Sequence, residues 1–339
     1  MTLKQPISNP KGNQMGFRIL VTEPIPVSNI EFLQNLGEVT IGKQGQFLTE
    51  DSLLEVIGQY DALLCMLSTP VTSRILEAAK KLKIVANFAV GYDNIDVQAA
   101  HRFNIQVANT PDVLTESCAD FTMGLLLATT RRFNKAEQYL RDGHFTQWEP
   151  MGFLGMELAG KKLGIIGMGR IGQSFAKRAQ AFGMKVYYHN RRKLAASIEQ
   201  LTQATFVDDL DTLLSNSDVV SLHCPLQEST HHLINAQRLS LMQSHTILLN
   251  ISRGPVIDEK ALAQSLHQGH IGGAGIDVYE FEPSVDPDLL TAPNCTLLPH
   301  IASATHETRT AIGQLAANAI AGILNQKDLD DIPNLIPAS

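Results

Sequence analysis

LGIIGMGRIG, residues Leu163 to Gly172, is an apolar run that ends in three glycines spaced G-x-G-x-x-G. Leu163 to Ile166 reads as a buried strand. Gly167 permits a tight turn, Gly169 lets the backbone approach a pyrophosphate, and Gly172 lets the next helix pack closely on the strand. The N-terminus of that helix then aims its free N–H groups and positive dipole end at phosphate. Met168, Arg170 and Ile171 occupy the intervening positions and share the site. The motif alone is common. Here a helical stretch, QSFAKRAQAFG (Gln173 to Gly183), follows it, and a second strand, MKVYYHN (Met184 to Asn190), ends at the distance a βαβ unit requires. The stretch therefore predicts a dinucleotide site rather than a bare glycine turn.

Outward from this unit the alternation continues. Strand-like runs recur at Lys161 to Gly167, Met184 to Asn190, Val219 to Pro225, Thr246 to Ser252, Gly273 to Val278 and Cys295 to His300, which makes six strands of one doubly wound domain. Upstream, Phe17 to Glu23, Asp61 to Leu67, Leu82 to Val90 and Ile105 to Asn109 alternate with helical stretches in the same way. Such alternation predicts α/β architecture, with parallel sheets covered by helices on both faces. Ser117 to Asp142 has few breakers and reads as one long helix, buried at its N-terminal part and connecting the two units. His306 to Leu324 reads as a helix, and DLDDIPNLIP as an extended end. The first ~15 residues lack apolar periodicity and read as a loose tail, with Met15 as an alternative start.

Composition narrows the class. The chain has 339 residues, 44% hydrophobic and 18% charged, enough to bury two cores. Its formal charge of -7 has the wrong sign for a nucleic-acid binder. No apolar run approaches the ~20 residues of a membrane span, and the polar start lacks a secretion signal, so a cytoplasmic protein with no membrane partner is expected. Cys65, Cys118, Cys224 and Cys295 are too dispersed for the two-to-four-residue spacing of a zinc site. They read as reduced, mostly buried apolar residues, and no metal site is expected.

The end of the second strand bears on the cofactor. An acidic residue there would accept hydrogen bonds from the adenosine ribose and would repel a 2′-phosphate. This chain has Asn190 followed by Arg191, Arg192 and Lys193. A neutral Asn removes the repulsion, and guanidinium groups can hold a phosphate through charge-assisted hydrogen bonds. NADP(H) is the expected preference, with NAD(H) still able to bind; the competing reading is a solvated basic loop.

Three later strand ends carry polar residues out of keeping with the apolar strands before them: Arg253 in NISRGP, Glu282 in DVYEFEP and His300 in LLPHIASAT. In an open α/β sheet ligands lie beyond the carboxyl ends of the strands, so all three can converge on the nicotinamide end of a dinucleotide. Reduction of a 2-oxo acid needs a cation to hold the carboxylate and polarise the carbonyl, and an acid to protonate the oxygen. Arg253 and His300 supply these, and a carboxylate such as Glu282 would orient the imidazole and raise its pKa. Singly, each has a plainer reading, as a turn cap, a surface charge and a packed histidine.

In this order GMGRIG, HCPL, NISRGPVIDEKAL, GAGIDVYEFEP and LLPHIASAT make the chain from Phe17 onward resemble the D-isomer-specific 2-hydroxyacid dehydrogenase family. Within the family it is similar to glyoxylate/hydroxypyruvate reductases and 2-ketogluconate reductases. The resemblance implies that Arg253 binds substrate, that His300 is the general acid/base and that Glu282 is its partner. It places the substrate loop in NFAVGYDNID (Asn87 to Asp96), with the N–H groups of Val90 and Gly91 holding the carboxylate in a small anion nest. It assigns cofactor contacts to Thr115, Pro225, Thr230, Ile251 and Asp277, with their neighbours Cys224, Ser252 and Ala302, and brings Arg253 and His300 against the same ligand. It also implies a Rossmann cofactor domain, residues 116–302, inserted into a flavodoxin-like substrate domain of residues 1–115 and 303–339. The cleft between the two would hold the substrate, with hinges near Thr115 and Ala302. HFTQWEPMGF (His144 to Phe153), with the only Trp, resembles the arm that reaches the partner of a homodimer. Trp148 is accordingly expected to be buried there or in the cleft.

The sequence thus reads as an NADPH-preferring reductase of glyoxylate or hydroxypyruvate, yielding the D-2-hydroxy acid. A 2-ketogluconate reductase would need only a roomier cleft. Phosphoglycerate dehydrogenases of the kind with an added regulatory domain are disfavoured by the 39 residues after His300, and formate dehydrogenases by Glu282, where that branch has Gln. A reading from another class is a dinucleotide-sensing corepressor on this fold, against which the complete Arg, Glu and His set argues.

Overall fold

A computed structural model describes residues 16–45 and 48–337. The expected tail and the alternative start at Met15 lie outside the described residues. The described residues up to Leu114, with those from Ala304 on, form one compact unit, and Thr115–Ser303 forms the other.

The first unit is built on five parallel strands, β1 (Phe17–Val21), β2 (Gly37–Ile41), β3 (Ala62–Cys65), β4 (Ile84–Asn87) and β5 (Gln106–Ala108), in the order β2-β1-β3-β4-β5. That is the flavodoxin-like winding. Every residue of β3 and β4 is buried, as expected of a sheet covered on both faces. Leu20, Leu63, Val85 and Val107 pack with Leu53, Ile57, Ile75, Leu76, Ala99 and Ala100 on one side. On the other side lie helices Val27–Gln34 and His306–Leu324, which meet where Asn29 Nδ2 donates to the Thr310 carbonyl at 3.3 Å. Thr305 caps the second of these, its hydroxyl accepting the Thr308 N–H at 3.1 Å.

β2 is an addition to the four strands the sequence suggested: in GEVTI a glycine and a glutamate break the apolar run. The expected extended C-terminal stretch contains a 3-10 turn at Leu329–Asp331. Beyond it the chain pairs with the sheet edge, Leu335 bridging Ala108 and the Ile336 N–H donating to the Val107 carbonyl at 2.7 Å.

The second unit holds seven parallel strands: β6 (Lys162–Ile166), β7 (Lys185–His189), β8 (Thr205–Phe206), β9 (Val219–Leu222), β10 (Ile247–Asn250), β11 (Gly273–Ile276) and β12 (Cys295–Leu297). Their order is β12-β11-β10-β9-β6-β7-β8, so the chain winds out from β6 to one side and then back to the other. This is the Rossmann arrangement with an extra strand, and the reversal lies between β6 and β9. All six expected strands are present, while β8, two residues long at the edge, was too short to read.

The expected single helix from Ser117 to Asp142 is two helices, Thr115–Thr130 and Phe133–Arg141. The chain turns at Arg132, whose φ of +56° is left-handed and ends the first helix without Gly or Pro. Thr115–Thr130 buries Cys118, Ala119, Thr122, Leu125, Leu126 and Thr129 at helical spacing. The hydroxyls of Thr122, Thr129 and Thr130 are satisfied by the carbonyls of Cys118, Leu125 and Leu126, which lets three threonines enter an apolar face. Phe133–Arg141 buries nothing.

Cys65, Cys118 and Cys224 are buried free thiols, and Cys295 is half-buried. Trp148 is 77% exposed within this single chain. No helix among the described residues is long and apolar enough to cross a membrane.

Candidate active site

Because all strands of the second sheet run the same way, the residues that follow them collect along one edge. Gly167 follows β6, Asn190 follows β7, Cys224 and Pro225 follow β9, Ile251 to Arg253 follow β10, Asp277 follows β11 and His300 follows β12.

At the centre of that edge Gly167 turns with φ +95°, and a Cβ there would come within 2.5 Å of the Cys224 nitrogen. Any side chain would thus meet both a disfavoured backbone and the loop after β9. A Cβ on Gly172 would lie 2.7 Å from the Gly167 carbonyl oxygen, whereas one on Gly169 would meet nothing within 4 Å. Helix Arg170–Ala181 starts here, so its first N–H groups border the open space above Gly169. A pyrophosphate fits this cradle by chemistry and by room.

Asn190 is tied to the same turn, its Oδ1 accepting the Met168 N–H at 2.7 Å. That leaves the Asn190 amide NH₂, a donor, for a ligand. The basic loop after it is anchored from below: the Tyr188 hydroxyl accepts the Leu194 N–H at 3.0 Å and donates to Glu199 Oε1 at 2.8 Å. Lys193 pairs with Glu199 at 3.4 Å, whereas Arg191 and Arg192 are exposed. The roles of Tyr188 and Glu199 were not read from the sequence, where a tyrosine inside an apolar strand signals only packing.

Under the glycine turn lies His223, half-buried against Phe175, with Nε2 2.8 Å from the Ser221 hydroxyl. Burial pushes its pKa down to about 3, so the ring is neutral.

At the other end of the edge the three catalytic candidates are held by their neighbours. Asn250 accepts the Ser252 N–H at 3.0 Å and donates to the Arg253 carbonyl at 2.9 Å, fixing the turn that carries the guanidinium. Gly254 lets this turn press on the next loop, since a Cβ there would overlap the Tyr279 carbonyl carbon at 1.8 Å. Glu282 Oε1 accepts the Tyr279 N–H at 3.0 Å, and Glu282 Oε2 lies 2.9 Å from His300 Nδ1. His300 has a left-handed backbone, φ +55°, stabilised by its N–H donating to the Asp277 carbonyl at 2.8 Å. Such a conformation costs a non-glycine residue about 1–3 kcal/mol. The structure thus brings Glu282 and His300 into contact, as the sequence suggested.

The charges in the group are coupled. Burial alone would raise the Glu282 carboxyl, but the hydrogen bond and charge of His300, the Tyr279 N–H and the nearby Arg253 charge outweigh it and hold Glu282 below the usual carboxylate range. Asp277 is fully buried and accepts N–H bonds from Ile301 at 2.8 Å and Ala302 at 2.9 Å. Burial, aided by the Glu282 charge and opposed by those donors and His300, pushes it up to about 6. With Nδ1 engaged by Glu282, Nε2 is the His300 nitrogen left for proton exchange.

The remaining candidates occupy the same edge or its surroundings. Thr230 donates to the Pro225 carbonyl at 2.7 Å and accepts the Gln227 N–H at 2.9 Å, closing the loop after β9. Thr115 begins its helix, and the Ser117 hydroxyl donates to the Ala302 carbonyl at 3.1 Å. In the first unit, Val90 and Gly91 follow β4, and their carbonyls accept from Asn109 at 2.7 Å and Asn87 at 2.6 Å. Buried amides thereby set the backbone orientation of that loop.

Comparison with known proteins shows the family. The family described as "D-isomer specific 2-hydroxyacid dehydrogenase, NAD binding domain" matches residues 123–302. The glyoxylate reductase of Thermococcus litoralis is 43% identical over 309 residues, which cover 90% of this chain and 93% of that protein. The glyoxylate reductase of Korarchaeum cryptofilum is 44% identical over 310 residues, 90% of this chain and 92% of that one. Among solved structures, the NADPH-dependent glyoxylate/hydroxypyruvate reductase of Sinorhizobium meliloti, in complex with NADP and malonate, superposes with a TM-score of 0.81 at 34% identity, over 95% of this chain and 99% of that one. A nucleotide cradle, an Arg and a His–Glu pair on one sheet edge, in a chain similar to these proteins over nine-tenths of its length, make this an NAD(P)-dependent oxidoreductase that belongs to the D-isomer specific 2-hydroxyacid dehydrogenase family.

Proposed function

We propose that this enzyme reduces glyoxylate or hydroxypyruvate to the D-2-hydroxy acid, with NADPH preferred over NADH. The observation that carries the reading is the Glu282–His300 pair, 2.9 Å apart, on the strand edge that also holds Arg253 and the glycine turn. Bound NADPH supplies the hydride. Arg253 holds the substrate carboxylate and polarises the carbonyl, and His300 donates a proton from Nε2 to the carbonyl oxygen. Glu282 stabilises the imidazolium before transfer and keeps the ring oriented after it. For Val90 and Gly91 we retain the role the family resemblance gives them, carboxylate binding through backbone N–H groups. The second unit is read as the cofactor domain and the first as the substrate domain.

The cofactor preference rests on Asn190 and the arginines after it. With the Asn190 carbonyl occupied by Met168, what remains is a donor amide beside two exposed guanidinium groups, a set suited to phosphate oxygens. The test is the fall in nicotinamide absorbance with glyoxylate, hydroxypyruvate and 2-ketogluconate, each with NADPH and with NADH. Fastest turnover is expected for the first two acids, with kcat/KM at least about tenfold higher for NADPH, worth ~1.4 kcal/mol. A clear NADH preference would refute the cofactor assignment, and turnover of 2-ketogluconate alone would refute the substrate assignment. Cofactor binding without turnover of any acid would point to a sensor.

The enzyme is further proposed to act as a homodimer. Phe145, Trp148 and Met151 on the arm from His144 to Phe153 are 58%, 77% and 75% exposed, an apolar surface suited to a second copy. In sedimentation the wild type should run as a dimer and Trp148→Asp should weaken it; a wild type at single-chain mass would exclude the pairing.

A further inference from the structure

Sharing no residue with the Glu282–His300 pair, His231, His232 and Glu280 of the second unit place their ligand atoms within 4.8 Å of one another. Consecutive side chains of an extended chain point to opposite sides. Here His232 has a left-handed backbone, φ +47°, and the two imidazoles lie stacked on the same side, their centroids 4.1 Å apart. The grouping is held by other contacts. The His232 N–H donates to the Pro255 carbonyl at 2.8 Å, and His232 Nε2 lies 2.8 Å from Glu280 Oε1. The Glu280 N–H in turn donates to the buried Glu259 carboxylate at 2.8 Å. His231 is exposed beside an open depression of about 500 Å³ that it lines with Leu226, Gln227 and Glu228, so the grouping is open to solvent ions.

We propose that His231, His232 and Glu280 bind a divalent first-row transition cation, with zinc(II) as the probe. Two imidazoles and one carboxylate are a donor set that zinc takes with water in the fourth position. Bonds of ~2.0–2.1 Å need ligand atoms about 3.3 Å apart in a tetrahedron, which rotation of the exposed His231 ring can supply. The site is separate from the catalytic pair but mechanically close to it. Pro255 belongs to the turn that carries Arg253, and Glu280 lies two residues before Glu282. A bound ion would therefore join the loops after β9 and β11, next to the turn after β10 that the His232 N–H already holds, and it would stabilise the fold by mass action.

The test is titration of tag-free enzyme with zinc chloride by calorimetry, together with the thermal midpoint and, with cobalt(II), the visible spectrum. One equivalent should bind, the midpoint should rise, and cobalt should give the strong absorption of a low-coordinate site. His231→Ala and Glu280→Gln should each bind zinc at least about tenfold more weakly. His231→Ala should keep its metal-free kcat and KM, which shows that it folds. The proposal is overturned if wild type takes up no equivalent, or if His231→Ala binds like wild type while His300→Asn does not, since the ion would then lie on the catalytic pair.

Discussion

His300→Ala is expected to lower turnover by about two to four orders of magnitude, the range associated with losing a positioned general acid. Cofactor affinity, followed by nucleotide fluorescence, should stay close to wild type, because the glycine turn and Asn190 lie at other strand ends. His300→Asn is the companion variant. Asparagine tolerates the left-handed backbone that His300 adopts, so an equal loss there separates proton transfer from backbone strain. Glu282→Gln keeps a hydrogen bond but removes the charge, and should lie between wild type and these variants. Wild-type kinetics in either His300 variant would remove the imidazole from the reaction.

For Arg253→Ala we expect kcat/KM for the 2-oxo acid to fall on the order of 10²–10³, by analogy with removal of a donor that stabilises a developing oxyanion. Lysine should restore little, since a point charge cannot grip a carboxylate with two parallel hydrogen bonds. The variant has a second signature. The Arg253 charge helps hold Glu282 below the usual carboxylate range, so without it Glu282 takes up a proton at higher pH. Activity that depends on the charged Glu282–His300 pair should then begin to fall at a higher pH as the solution is acidified. An acidic limb that stays in place, with kcat/KM unchanged, would show that the guanidinium serves only its turn.

How much of this was legible in the sequence depended on how locally each feature is encoded. The glycine turn, its strand and its helix are contiguous, and each residue has a steric reason visible in the letters. Arg253, Glu282 and His300 stood out because a charged or imidazole side chain directly after an apolar strand needs a reason. β2 and β8 did not, because GEVTI mixes polar and apolar residues and TF is too short to show a period. The break at Arg132 had no marker, since an arginine in a left-handed conformation looks like any other helix former. The bond from Met168 to Asn190, the Tyr188–Glu199 support beneath the basic loop and the stacking of His231 on His232 depend on backbone direction across loops. Residue identity constrains that direction only weakly.

The split composition of the first unit also bears on how the chain comes off the ribosome. Helix His306–Leu324, which covers one side of the first sheet, and Leu335, which pairs with its edge at Ala108, are made only after the whole of Thr115–Ser303 has been added. The inserted unit is continuous and can consolidate as soon as it emerges, whereas the strands made first must wait for their covering helix with apolar surface unprotected. Nascent chains stalled before residue 304 would thus combine a finished core with an uncovered sheet, the species a holding chaperone would be expected to retain.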